Sequence, residues 1–165
     1  MYLSMVVFEE CLAEYHPRMT GHSDLVKIKF MGVQEAMEGQ EYLPDHMLLE
    51  HVEYFISHPI PAAWGCLCIG EPPEDLFKNN ICLIFPENTD MTRLYHDIQK
   101  IFFLYNSWEM EIRKAMQRNA TLEEMCKLCI PIFEKPIFIH DRNNELLAIA
   151  NEMAGQFSWQ YDETF

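Results

Sequence analysis

The run DMTRLYHDIQKIFFLYNSWEMEIRKAMQRN, residues 90–119, contains neither glycine nor proline and constrains the fold more than any other stretch of the chain. Leu94, Ile98, Ile101, Tyr105, Trp108, Ile112 and Ala115 recur at steps of four and three, the spacing of a heptad seam. Thr89 or Asp90 can serve as its N-cap. A helix of this span is about 45 Å long, more than is needed to cover one small sheet. Phe102, Phe103 and Leu104 widen the apolar stripe, as in a helix that faces a core. The run is therefore either the main core helix, or a helix with one end on a sheet and the other paired with a second chain. In the second case Leu94, Ile98, Ile101, Tyr105, Trp108 and Ile112 form the dimerisation seam, parallel or antiparallel, of a homodimer.

Shorter elements surround it. Residues 3–16 place Leu3, Val6, Val7, Leu12 and Tyr15 among acidic residues, predicting an amphipathic helix that Pro17 ends. VKIKF (26–30) alternates like a half-buried strand. MLLEHVEYFIS (47–57) fits a strand, a helix, or a strand running into a helical turn. AAWGCLCIG (62–70) and NNICLIFP (79–86) are short apolar runs bounded by Gly, Pro and Asn, which favours buried strands. After a break at Arg118-Asn119-Ala120, TLEEMCKLCIPIF (121–133) opens with Thr121 and Glu124 in capping-box spacing and is closed by Pro131 and Pro136. PIFIHD and LLAIA then flank DRNNE as a β-hairpin, with Asn143-Asn144 able to take positive φ.

The expected class is α+β. A small mixed sheet from 26–31, 47–50, 63–69 and 80–85 is flanked by the N-terminal and long helices, and a helix plus hairpin follows. The expected domains are 1–118, ending in the long helix, and 119–165, a partial second domain.

Composition limits the function. Twelve Lys and Arg against 26 Asp and Glu give a net charge of -14, which repels a phosphate backbone, so no nucleic acid is expected to bind through this segment. No run reaches the roughly 18 apolar residues that span a bilayer, so no membrane partner is expected. The opening MYLSMVVFEECLAEYH lacks a basic n-region and reads as no signal peptide, which makes a cytoplasmic location the default. In a reducing compartment, Cys11, Cys66, Cys68, Cys82, Cys126 and Cys129 behave as small buried hydrophobes.

Chemical motifs are sparse. Cys66-x-Cys68 with His46, His51 and His58 invites a metal site, but no second pair stands at finger spacing. Cys126-x-x-Cys129 has redox spacing, but it lies well past the start of its helix, where no dipole lowers the first thiol. Glu50, His51 and Glu53 suggest acid–base work without supplying a nucleophile. His140-Asp141 enters the hairpin turn, where Asp141 can hold backbone N–H groups or face a ligand. No phosphate loop, zinc-protease or nucleophile-elbow motif occurs, so neither an enzyme nor a cofactor is expected. Trp64, Trp108 and Trp159, with 11 Phe and 7 Tyr, suit an aromatic small-molecule pocket or an ordinary core, and the ligand-binding residues stay open.

FLYNSWEMEIRKAM followed by TLEEMCKLCIPIFEKPIFIHDRNNELLAIA resembles the N-terminal regulatory region of purine-catabolism regulator (PucR) type bacterial transcription factors. The matching residues are Thr121-Leu122-Glu123-Glu124 for the helix opening, Pro136-Ile137-Phe138-Ile139-His140-Asp141 for the first strand, and Leu146-Leu147-Ala148 for the second. YNSWE (105–109) resembles what precedes that unit. The resemblance covers about the last third of the chain and rests on apolar and turn residues; 1–90 match only loosely. It implies a longer regulator, of which this is an N-terminal piece: a GAF- or PAS-like sensor beginning near residue 121, a small-molecule effector, and a C-terminal helix-turn-helix beyond this segment. The unfinished αββ unit is then expected to be held by its own domain or the partner chain's, with Phe157, Trp159, Tyr161 and Phe165 as apolar anchors.

Overall fold

The computed structural model describes residues 1–21, 27–133 and 135–150. It divides into two compact units, Met1–Phe103 and Leu104–Phe165, and the division falls inside the long helix, whereas the sequence places it after residue 118.

The first unit is an α/β assembly around a five-stranded mixed sheet. In chain order it contains β1 (Leu3–Ser4), α1 (Met5–Cys11), a 3₁₀ turn (Ala13–Tyr15), β2 (Arg18–Gly21), β3 (Lys29–Phe30), β4 (Gly32–Glu35), β5 (His46–His51), α2 (Val52–Ser57), β6 (Gly65–Ile69), β7 (Ile81–Phe85) and the start of α3 (Met91–Gln117). The sheet order is β2-β7-β6-β5-β4. β4 to β7 are mutually parallel and β2 is antiparallel along β7. Every residue of β6 and β7 is buried, which is why GCLCI and ICLIF read as unbroken apolar runs: a parallel strand is covered on both faces.

Because β4 to β7 follow one another in space as in sequence, crossovers of one hand all fall on one face of the sheet. Residues of those crossovers (Tyr42, Phe55, Ile60, Trp64, Leu76, Phe77) pack on Leu48, Cys66, Cys68, Cys82 and Ile84. The alternate residues Met47, Leu49, Leu67, Ile69, Leu83 and Phe85 are equally buried. Tyr15 sets its ring edge-on to Phe85 at 6.2 Å, and Phe8 of α1 meets Phe102 of α3 at 5.1 Å.

Several expectations change here. Residues 3–16 form a two-residue strand, α1 and a 3₁₀ turn rather than one helix, and His16 takes the left-handed conformation before Pro17. Of VKIKF, Val26 lies outside the described residues; among 27–30 only Lys29–Phe30 is strand, and it pairs with β1 in a separate two-stranded sheet, while the sheet edge goes to Gly32–Glu35. Gly32 is suited to that edge, since a Cβ there would lie 2.3 Å from the His46 ring. Residues 47–57 are a strand running into a helical turn. Arg18–Gly21, outside the expected sheet, forms β2. It depends on Gly21, whose φ of +121° and 2.1 Å Cβ-to-Asn80 carbonyl approach exclude a side chain.

The second unit holds the rest of α3, then α4 (Leu122–Phe133), β8 (Ile137–His140) and β9 (Leu146–Ala150). Asp90 caps α3 by accepting the Arg93 N–H at 3.0 Å. Asn119, at φ 55°, ends it, and the Ala120 N–H reaches the Ala115 carbonyl at 2.9 Å as in a Schellman turn. The Thr121–Glu124 capping box forms in both directions, at 3.2 and 3.0 Å. Pro131 lies inside the last turn of α4 instead of closing it; so near the end it removes only a hydrogen bond to the carbonyl four residues back. Cys126 and Ile130 pack with Ile137, Ile139, Ala148 and Ala150, so α4 covers one face of the hairpin. The expected anchors Phe157, Trp159, Tyr161 and Phe165 lie outside the described residues.

Candidate functional site

The heptad seam divides by burial. Leu94 and Ile98 are wholly enclosed and Ile101 nearly so, within the first unit. These three are core in the single chain, leaving no surface for a partner, because the α3 face that carries them is spent on the chain's own packing. Tyr105, Trp108 and Ile112 belong to the second unit and stay half-buried. Trp108 stands edge-on to Tyr105 at 6.3 Å and to Phe133 of α4 at 6.2 Å, and its indole N–H is enclosed without an acceptor.

Cys66, Cys68, Cys82 and Cys126 are buried packing residues as expected, whereas Cys11 is exposed and Cys129 only half-buried. Cys66 and Cys82 are register partners on adjacent strands, and Cys68 lies on the same face. Burial pushes the Cys66 thiol far up, with Cys68 adding to it, and burial followed by a hydrogen bond with Cys68 does the same to Cys82. A thiol so raised is neither nucleophile nor ready ligand at neutral pH. Cys126 is raised too, by burial first and then by Cys129, opposite to the depression a redox C-x-x-C needs. Among the described residues no group of three His, Cys, Asp or Glu side chains is placed to hold a metal ion.

Asp141 fills its turn role: its Oδ1 accepts the Asn143 and Glu145 N–H groups at 2.8 and 2.9 Å, while Asn144 alone takes positive φ. The His140 ring contacts the Asn144 carbonyl at 3.2 Å, so this pair is occupied in closing the hairpin. The Glu50 carboxylate accepts the His51 N–H at 2.8 Å.

Aromatic residues of the first unit pack on one another. Tyr42 and Tyr54 share a 2.7 Å hydroxyl hydrogen bond, Tyr54 stacks on His58 at 4.1 Å, and Tyr42 meets Trp64 at 5.5 Å. Burial, then the Tyr42 bond, pushes the Tyr54 phenol up to about 12.

Three concavities of this unit have charged linings. One cavity, about 380 Å³, lies at the carboxyl ends of β5, β6 and β7 between His51, Glu53, Gly70, Glu71 and Glu87. A second, about 250 Å³, lies beside the ion-paired Arg18 and Glu71, with Thr20, Pro72, Phe77 and Ile84. Glu71 borders both cavities. Sequence reasoning passed over Arg18, Gly70, Glu71 and Glu87; the available signal was the Gly-Glu-Pro-Pro turn directly after a buried strand.

A third concavity, about 520 Å³, runs from Glu14 along Asp90, Arg93, His96, Asp97 and Lys100. There the Tyr15 hydroxyl donates to Asp97 at 2.6 Å. Burial and then that bond push the Tyr15 phenol up to about 12, while Lys100 first and Tyr15 second hold Asp97 below its ordinary value.

No family model, no curated protein and no solved structure matches this chain. No helix among the described residues is long and apolar enough to cross a membrane.

Proposed function

We propose that this chain is the N-terminal regulatory and dimerisation segment of a PucR-like bacterial transcription regulator, acting in the cytoplasm, non-catalytic, and lacking its own helix-turn-helix. The observation that supports this reading most is the α4–hairpin unit. The residues that carry the resemblance perform distinct local tasks there: Thr121 and Glu124 start α4, Asp141 closes the turn, and Ala148 packs beneath α4. A second support is that α3 belongs to both compact units, as befits an element relating a sensing region to an output region.

The dimer then uses the second half of α3, over Tyr105, Trp108 and Ile112, since the first half is core. Light scattering over a concentration series tests it. A mass near twice 19.6 kDa that falls to one chain in Ile112→Asp, with circular dichroism unchanged, is the expected result. A monomer at every concentration overturns the dimerisation role.

A second reading, a small-metabolite sensor, is favoured by the two cavities that share Glu71. Thermal shifts across purines, ureides and sugar acids test it: a stabilising ligand whose effect is lost in Arg18→Ala supports binding there.

A further inference from the structure

β2 and the connection that follows β6 form two walls of one cleft. In β2, Arg18 and Thr20 stand opposite Ile84 and Cys82 in the antiparallel register, so alternation sends both side chains to the sheet face that carries the crossovers. The β6–β7 connection lies over that face: Phe77 packs in the same cluster as Ile84, and Glu71 and Glu74 flank Pro72-Pro73. Hydrogen bonds from the Leu76 N–H to the Pro73 carbonyl at 3.0 Å and from the Asn80 N–H to the Phe77 carbonyl at 3.1 Å hold this wall, and the two prolines fix its φ angles. Between the walls is the cavity of about 250 Å³, with buried Phe77 and Ile84 as its apolar floor.

The polar groups of this cleft are divided by sign. β2 offers the Arg18 guanidinium and the Thr20 hydroxyl, and the connection offers the Glu71 and Glu74 carboxylates. Among the described residues the Thr20 hydroxyl makes no hydrogen bond and Glu74 makes no ion pair. Arg18 pairs with Glu71, but their side chains are 58% and 74% exposed; such a pair is worth little, so a ligand that serves both partners separates them at small cost. A molecule carrying both charges satisfies each wall: its carboxylate takes the Arg18 fork and the Thr20 hydroxyl, and its ammonium takes Glu71 and Glu74. An aliphatic side chain then rests on Phe77 and Ile84. The volume is below the roughly 300–1,000 Å³ of sites for drug-sized ligands, which favours a molecule the size of one amino acid.

We propose that this cleft binds a free aliphatic α-amino acid. The inference rests on the small-metabolite reading above and names the ligand for it.

Thermal shifts of the full chain with valine, leucine and isoleucine test the proposal, followed by calorimetric titration of the one that shifts most. The expected result is a raised midpoint with at least one of them, and a much smaller rise with the matching amine or carboxylic acid, each of which lacks one of the two charges. Glu74→Gln should leave the midpoint of the free chain unchanged and weaken amino-acid binding about tenfold or more, the loss of a hydrogen bond between charged groups. Arg18→Gln should weaken binding equally, with part of the loss restored in Arg18→Lys; if Arg18→Gln unsettles β2, Glu74→Gln carries the test. No shift with any of the three overturns the proposal. If purines, ureides or sugar acids then raise the midpoint in an Arg18-dependent way, the sensor reading survives without it, and if none does, both fall. An amine that binds as tightly as its amino acid also overturns the proposal, because Arg18 then takes no part, and so does affinity unchanged in Glu74→Gln.

Discussion

β6–β7 and β8–β9 are both short apolar strand pairs, yet they are held in different ways. β6 and β7 are central in a sheet covered on both faces, so every side chain is buried and alternation disappears from the sequence. β8 and β9 have α4 on one face only, so burial alternates and stability leans on local devices: the capping box and the Asp141 turn. Buried area carries the first pair, and hydrogen bonds at element ends weigh more in the second.

The sharpest way to break this contrast is Leu67→Ala. Leu67 is fully buried in β6, and the loss of its side chain should cost about 2–5 kcal/mol, read from the urea midpoint. A cost under about 1 kcal/mol would mean that β6 is not the heart of the unit.

Gly21→Ala comes next. A Cβ meets the Asn80 carbonyl and φ is left-handed, so about 1–3 kcal/mol should be lost as β2 shifts off β7. Retention of full stability would remove β2 from the sheet.

In the second unit Thr121→Ala should cost about 1 kcal/mol and fray the start of α4, visible in amide exchange of the first turn. Thr121→Asp should restore most of it.

The smallest effect is spread over pH. Tyr15 is raised to about 12 in the folded chain, so the stability it contributes is complete below the ordinary phenol value of 10 and is lost as pH rises from there through about 12. Asp97 is lowered, so its contribution is present above the unfolded carboxylate value and is lost as pH falls through the folded one. Tyr15→Phe should flatten the alkaline limb, as followed by thermal melts across pH. An unchanged limb would point to Tyr54 instead.

Elements with local signals were legible in the sequence. α3, α4 and the hairpin follow from periodicity and from Asp90, Thr121, Glu124 and Asp141, whose partners lie within four residues. β6 and β7 follow from length and composition. The residues of the two cavities were not legible, because Arg18 meets Glu71 only after β2 has paired with β7. Of the two roles that composition left open for the aromatic residues, pocket or core, Tyr42, Tyr54 and Trp64 show mutual packing, made by partners 12 or more residues apart.

The sequence by itself determined that α3 and α4 are helices and where they start, since capping and periodicity act over a few residues. It determined the buried character of β6 and β7 for the same reason. Only the tertiary structure decided that Lys29–Phe30 stays out of the main sheet, that Arg18–Gly21 enters it, and that the α3 seam is core over Leu94, Ile98 and Ile101. An edge strand takes its hydrogen bonds, and a seam its burial, from residues remote in the chain. Local alternation can suggest those partners but cannot choose among them.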